Sequence, residues 1–203
     1  MMSMSDDSGL MTPAGERLLR VAAEVFYREG IAATGVDTIA ARAGVSKPTL
    51  YAQFGSKRAL VAKVLERRHD AQRSSWEVYL TQVDGDAETR LLSVFDWLAS
   101  WLAESGIRGC GFLNAAAEIP DPADPARAVI TNHKRWMRNR LTDLAREAGV
   151  AEPAEFGEAL LLLIDGVSAR VSVEGDLGAA AGAKRAAATL VTASQYRNEQ
   201  CHG

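Results

Sequence analysis

Apolar residues recur at helical spacing along nearly the whole chain, and no stretch alternates with the two-residue period of a strand. Leu18, Val21, Ala22, Val25 and Phe26 form one stripe, predicting a first helix from about Pro13 to Glu29. Thr12 can cap it, Pro13 suits a first helical position where no N–H is needed, and Gly30 ends it. Thr34-Gly35-Val36-Asp37 has the form of a capping box and predicts a short second helix with Val36, Ile39, Ala40 and Ala43 inward. Gly44 allows a sharp turn. Ser46 then caps a third helix carrying Leu50 and Phe54, and Gly55 stops it. Ser56 caps a fourth, with Leu60, Val61, Val64 and Leu65, running towards Tyr79.

The remainder continues in the same way. Residues 87–104 are apolar on most sides and predict a central helix. A short helix over 112–118 follows, then a long one from Pro125 to Glu147, and two last ones from about Pro153 to Glu174 and Leu177 to Tyr196. The expected fold is all-α with about nine helices: an N-terminal three-helix head and a C-terminal helical body. The expected division is a disordered tail over 1–11, a head over 12–68 and a body over 69–203.

Composition and charge narrow the class. The 203 residues, 47% hydrophobic, suffice for real cores. The longest dense apolar run is interrupted by Asp165, and the first residues lack the basic and apolar regions of a leader. The expectation is a cytoplasmic protein without a membrane partner. Cys110 and Cys201 are too few for a disulfide framework. The net charge of −3 conceals an asymmetry, since residues 12–68 carry ten basic and five acidic side chains. A basic head on an acidic body suits a polyanion. No phosphate-binding glycine loop, zinc-ligand cluster or Gly-x-Ser-x-Gly element occurs. His69, His133 and His202 lie far apart in sequence. No enzyme, cofactor or metal is expected.

The segment "AGVSKPTLYAQF" (43–54) joins two short helices through a glycine turn. Neither can bury itself, so both need the first and fourth helices. The outer face of the third helix then stays exposed, with Ser46, Lys47, Pro48, Thr49, Tyr51 and Gln53 on it. These side chains suit phosphates and base edges, and an α-helix fits the major groove. A purely structural helical hairpin is the alternative.

The stretch "TGVDTIAARAGVSKPTLYAQFGSKRALVAKVL" resembles the DNA-binding domain of the tetracycline-repressor (TetR) family. The resemblance covers 12–68 and rests on Thr34, Ile39-Ala40, Ala43-Gly44-Val45-Ser46, Thr49-Leu50-Tyr51, Phe54, Ser56-Lys57 and Leu60. Gln53 stands where many members have His. The resemblance implies a homodimeric regulator, usually a repressor, released from operator DNA by a small ligand. It places Thr34 at a phosphate and as a helix cap, Lys47, Pro48 and Thr49 at base edges, and Tyr51, Gln53 and Lys57 at the backbone; Tyr51 could instead act structurally through its ring.

The resemblance also makes the last two helices a dimer interface. Phe156, Leu160, Leu163, Val167 and Val171 step at helical spacing, as do Ala187, Leu190 and Val191. A monomer that buries these stripes internally is the alternative. A pocket for an apolar or aromatic molecule is expected between the central helices. Its candidates are Trp76, Trp97, Trp101, Phe112, Trp136 and Met137, with Asn114, Glu118, His133 and Asp165 as polar groups. Aromatics at this spacing also make ordinary core. "RGCGFLNAAAEIPDP" (108–122) resembles a segment found in a subset of the family, in some members of which the cysteine senses oxidants. Cys110 is therefore a redox candidate with Arg108 two residues away, or simply a small hydrophobe. The rival readings are a Cys110-based sensor on the same scaffold, and a ligand- or partner-binding protein that does not read DNA.

Overall fold

The computed structural model describes residues 11–106 and 108–201, with side chains to residue 194. The expected tail over 1–11 and His202 lie outside this range, apart from Met11. The described residues form nine α-helices and no strand. They are α1 Pro13–Glu29, α2 Val36–Arg42, α3 Lys47–Phe54, α4 Lys57–Thr81, α5 Ala87–Ser105, α6 Gly111–Glu118, α7 Pro125–Glu147, α8 Pro153–Glu174 and α9 Ala179–Cys201.

Local chemistry sets most helix starts. The side chains of Thr12, Ser46, Ser56, Asp86 and Asp124 accept from backbone N–H groups in the first turns of α1, α3, α4, α5 and α7. α2 departs from its expected capping box. Gly35 is the N-cap and no side chain caps it. The Thr34 hydroxyl instead donates to the Gly30 carbonyl at 2.7 Å, closing the turn that follows α1.

Two hydrophobic cores result. One holds Leu18, Leu19, Val25 and Phe26 of α1 with Ile39, Leu50, Leu60, Val64 and Leu65. Phe112 and Ala115 of α6, Ile119 just after it, and Ala126 and Ile130 of α7 belong to the same core. The other is built by α5 and the lower half of α4 with α7, α8 and α9. α4 runs unbroken past residue 68, from the first core into the second. The three-helix head is thus seated on α6, which lies between it and the body.

The stripes assigned to a dimer interface lie largely inside the chain. Phe156, Leu160, Val167 and Val171 of α8 and Ala187 and Val191 of α9 are buried in the second core, and Leu163 packs against it. Of that set, Leu190 alone is exposed. The period was legible but not the side, because α8 packs this face against α7 and α9 of its own chain.

Candidate nucleic-acid interface and ligand cavity

The turn between α2 and α3 is fixed by backbone chemistry. Val45 N donates to Ala40 O at 3.0 Å and Gly44 N to Ala41 O at 3.1 Å, with Gly44 at φ +64°. This is a Schellman closure, which favours glycine at the left-handed position. Leu50 anchors α3 in the head core, so the opposite face points outward. Ser46, Lys47, Pro48, Tyr51 and Gln53 are exposed and Thr49 is half-buried. Tyr51 is 42% exposed, which gives its ring and hydroxyl freedom to reach a ligand.

The polar atoms on this face are not all free. Ser46 Oγ accepts from Thr49 N at 3.2 Å as the cap of α3. Lys47 Nζ pairs with Asp37 at 3.0 Å, and the hydrogen bond to that carboxylate raises the lysine pKa. Gln53 Oε1 accepts from the Thr12 hydroxyl at 2.7 Å. Lys57 Nζ donates to the Ile31 carbonyl at 2.6 Å, and its pKa is lowered by desolvation, offset by nearby Glu118. Thr34, at 2% exposure with its O–H already donated to the Gly30 carbonyl, has no free hydroxyl donor for a phosphate.

The expected pocket between the central helices is almost closed. A gap of about 10 Å³ remains there, lined in part by Trp101, Met137 and Cys110. The aromatic candidates fill the space themselves. Trp76 and Trp97 lie 4.7 Å apart, Trp97 and Trp101 stack at 6.0 Å, and Trp136 meets Trp76 at 5.5 Å. His133 stacks on Phe112 at 3.6 Å and its Nδ1 faces His69 Nδ1 at 3.1 Å. Burial, aided by Lys134, His69 and Arg68, pushes the His133 pKa down to about 2. Asp165 is paired with Lys134 of α7. Trp76, Phe112, His133 and Met137 are therefore core rather than wall.

A more enclosed and more apolar cavity lies higher, where the head meets the body; a wider, more open and polar groove lies along Arg73, Glu77, Trp136 and Arg140. The enclosed cavity measures about 290 Å³, at the small end of small-molecule sites. Leu19, Ala23, Phe26 and Tyr27 of α1 and Ile31 form one wall. Val61, Val64, Leu65, Arg68 and Ala71 of α4 form the second, and Trp101, Gly111, Asn114, Ala115 and Glu118 of α5 and α6 close it. Of the expected pocket residues, Trp101, Asn114 and Glu118 line it. Asn114 Nδ2 donates to the Arg108 carbonyl at 2.8 Å, and Glu118 Oε2 accepts from Ala32 N at 2.7 Å. Tyr27 and Arg68 were not anticipated. A signal existed for Arg68, since it falls on the stripe set by Val61, Val64 and Leu65 and carries charge on a core-facing position.

Hydrogen bonds across the cavity tie the two parts of the chain. The Tyr27 hydroxyl donates to the Gly106 and Gly109 carbonyls at 2.8 and 3.2 Å. Arg108 Nη1 donates to the Arg28 carbonyl at 2.6 Å, so it is committed to α1 rather than to the neighbouring thiol. Cys110 is a half-buried free cysteine at the N-cap of α6. Among the described residues no cluster of three or more His, Cys, Asp or Glu could hold a metal ion. None of their helices is long and apolar enough to cross a membrane.

A glycine-turned helix pair on a basic three-helix head, carried on a helical body, defines a helix-turn-helix transcriptional regulator. Residues 18–64 match the family model described as bacterial regulatory proteins, tetR family. The solved structure of SCO4454, a TetR-family transcriptional regulator from Streptomyces coelicolor, is 31% identical, with a TM-score of 0.75 over 86% of this chain and 95% of that one. The chain belongs to the TetR family of transcriptional regulators. The HTH-type transcriptional activator FasR of Mycolicibacterium smegmatis is 51% identical over 65 residues, 30% of each chain. The HTH-type transcriptional repressor ComR of Escherichia coli is 28% identical over 119 residues, 58% of this chain and 57% of that one. The matches thus span less than two thirds of these two curated relatives. All are regulators of transcription rather than enzymes, and so is this chain.

Proposed function

We propose that the chain is a homodimeric repressor that leaves its operator when a small molecule with an apolar or aromatic body fills the cavity between α1, α4 and α6. In this reading residues 12–68 read DNA, 69–203 hold the dimer, and the ligand site is shared between them, with α1 and the first half of α4 supplying the larger part of its wall. The observation that carries it is the cavity's position. Its walls include α1 of the head, so an occupant presses directly on the element that orients α3. The ligand acts to the extent that it prefers the arrangement whose head spacing misfits the operator.

In this reading the exposed start of α3 enters the major groove. Lys47 exchanges Asp37 for DNA, while Tyr51 and the Gln53 amide meet the backbone. Two heads must reach successive grooves about 34 Å apart or somewhat more, which requires a dimer. The face available for it is the outward one of α8 and α9. There Leu162 is 66% exposed and Leu190 41%, with Gly166, Ala169 and Ala186 exposed beside them. Small residues with isolated leucines permit close helix packing.

The test is a fluorescence-anisotropy titration against DNA upstream of the chain's own coding region, with random DNA as competitor. Binding that survives competitor and weakens in Lys47→Ala and Tyr51→Ala is expected. If an unbiased selection from random DNA also yields no preferred sequence, the repressor reading is wrong.

A further inference from the structure

We propose that the cavity's ligand is an amphipathic anion, an apolar body bearing one carboxylate, and that Arg68 receives the carboxylate. The inference rests on reading the cavity as the ligand site.

Arg68 is the observation that demands it. Its guanidinium is stacked between aromatic neighbours, 4.8 Å from the centre of the Tyr27 ring and 5.9 Å from that of Trp101. It passes so close to Gly111 that a Cβ there would come within 2.9 Å of Nε. Among the described residues the group makes no hydrogen bond and no ion pair, and its Nε is buried without an acceptor. Other arginines of the head do find acids, Arg42 with Glu29, Arg58 with Asp121 and Asp124, and Arg67 with Glu16. The acid in the cavity, Glu118, is turned to Ala32 N and the neighbourhood of Lys57.

Arg68 is half-buried with its Nε shielded, and aromatic faces replace only part of the hydration that N–H has lost, so an anion reaching it supplies what is missing. A planar guanidinium with unused N–H groups matches a carboxylate in a two-bond fork. Tyr27, Trp101 and Gly111 hold the plane in place before any ligand arrives. Much of the remaining wall is apolar, chiefly Leu19, Phe26, Val64 and Ala115, and its polar members Asn114, Glu118 and Arg67 are bound to the Arg108 carbonyl, Ala32 N and Glu16, so the occupant is one charge on a hydrocarbon or aromatic body. Exposed Arg20 on the rim has no partner among the described residues and adds positive potential at the entrance.

The test compares acids with their amides of the same shape. Decanoate, decanamide, 2-naphthoate and 2-naphthamide are titrated near pH 7 by calorimetry and by Trp fluorescence, which Trp101 supplies from the cavity wall. At least one acid is expected to bind about 10- to 100-fold tighter than its amide, the range of one charge-assisted hydrogen-bonded pair. Arg68→Gln should bring that acid down to its amide while leaving the amide unchanged, and Arg68→Lys should fall between. Ala71→Phe, at an exposed position of the wall, should weaken all four. The comparison in the unaltered protein stands even if an Arg68 variant fails to fold. Equal affinity of acid and amide, or a preference that persists in Arg68→Gln, overturns the proposal. So does failure of all four to bind up to about 1 mM. If the amides bind and release operator DNA while the acids do not, the anion is wrong but the cavity remains the ligand site.

Discussion

His133 should make the fold lose stability in mild acid, and the size of the loss can be worked out. Its ring is fully buried, stacked on Phe112, with Nδ1 against His69 and Nε2 without a partner. Burial holds its pKa at about 2, against about 6.5 for an unfolded histidine. Between these values the unfolded chain binds a proton that the folded chain refuses. Unfolding therefore becomes easier as pH falls through 6.5, and the stability present above that pH is lost at about 1.4 kcal/mol per unit. From pH 7 to pH 5 the expected loss from this residue is about 2 kcal/mol. The perturbation is His133→Leu, which keeps an apolar side chain against Phe112 and removes the titration. Urea unfolding followed by circular dichroism at fixed protein concentration gives the stability of each protein at both pH values. The native chain should lose about 2 kcal/mol more than the variant over that interval. Parallel pH profiles would refute the reasoning, because His133 would then have to take up its proton in the folded state.

Gly109→Ala should lower the melting temperature by roughly 4–8 °C, equivalent to about 2 kcal/mol, as followed by thermal circular dichroism. The residue sits at φ +65°, and a Cβ there would lie 2.2 Å from the Ser168 carbonyl oxygen. Leu162→Glu should give a folded monomer by light scattering, whereas Leu161→Glu, one residue back and buried in the core, should unfold the chain. Lys47→Ala should weaken operator DNA about 5- to 100-fold, weaken random DNA less, and relax the preference at the base it meets, measured by anisotropy with single-base operator variants.

The helices were legible because their ends carry local chemistry. Thr12, Ser46, Ser56, Gly30 and Gly44 each act within one turn of where they stand, so neighbouring residues suffice to read them. Thr34 was misread because its hydroxyl had two local uses, and the Gly30 carbonyl captured it rather than the start of α2. Longer-range questions had no such local answer. The stripe Phe156-Leu160-Val167-Val171 says that one face of α8 is covered but not by which chain. Trp97 and Trp136 were read as pocket walls from their chemistry, yet each finds another aromatic ring to pack against and closes the space instead. The enclosed apolar cavity is set instead by α1 and α6 meeting α4, a relation among segments far apart in sequence. Arg68 was visible only as a charge on an apolar stripe, and its meaning depended on finding no acid opposite it.

The position of α6 explains how one small cavity can influence both ends of the molecule. Phe112 and Ala115 of α6 and Ile119 just after it belong to the head core, so α6 cannot shift without the head. The turn before it is bound to α1 through Tyr27 and Arg108. The same turn lies against α8, where Gly109 approaches the Ser168 backbone too closely for any side chain. α8 in turn carries the exposed Leu162 face on which a second chain would sit. On the proposed reading, a ligand between α1 and α6 would act on a segment held on one side by the three-helix head and on the other by α8. Packed interfaces of this kind move as units rather than deforming continuously. If the chain is the ligand-released dimer proposed above, a preference of the ligand for one seating of α6 would change the distance between heads, and operator affinity would follow it.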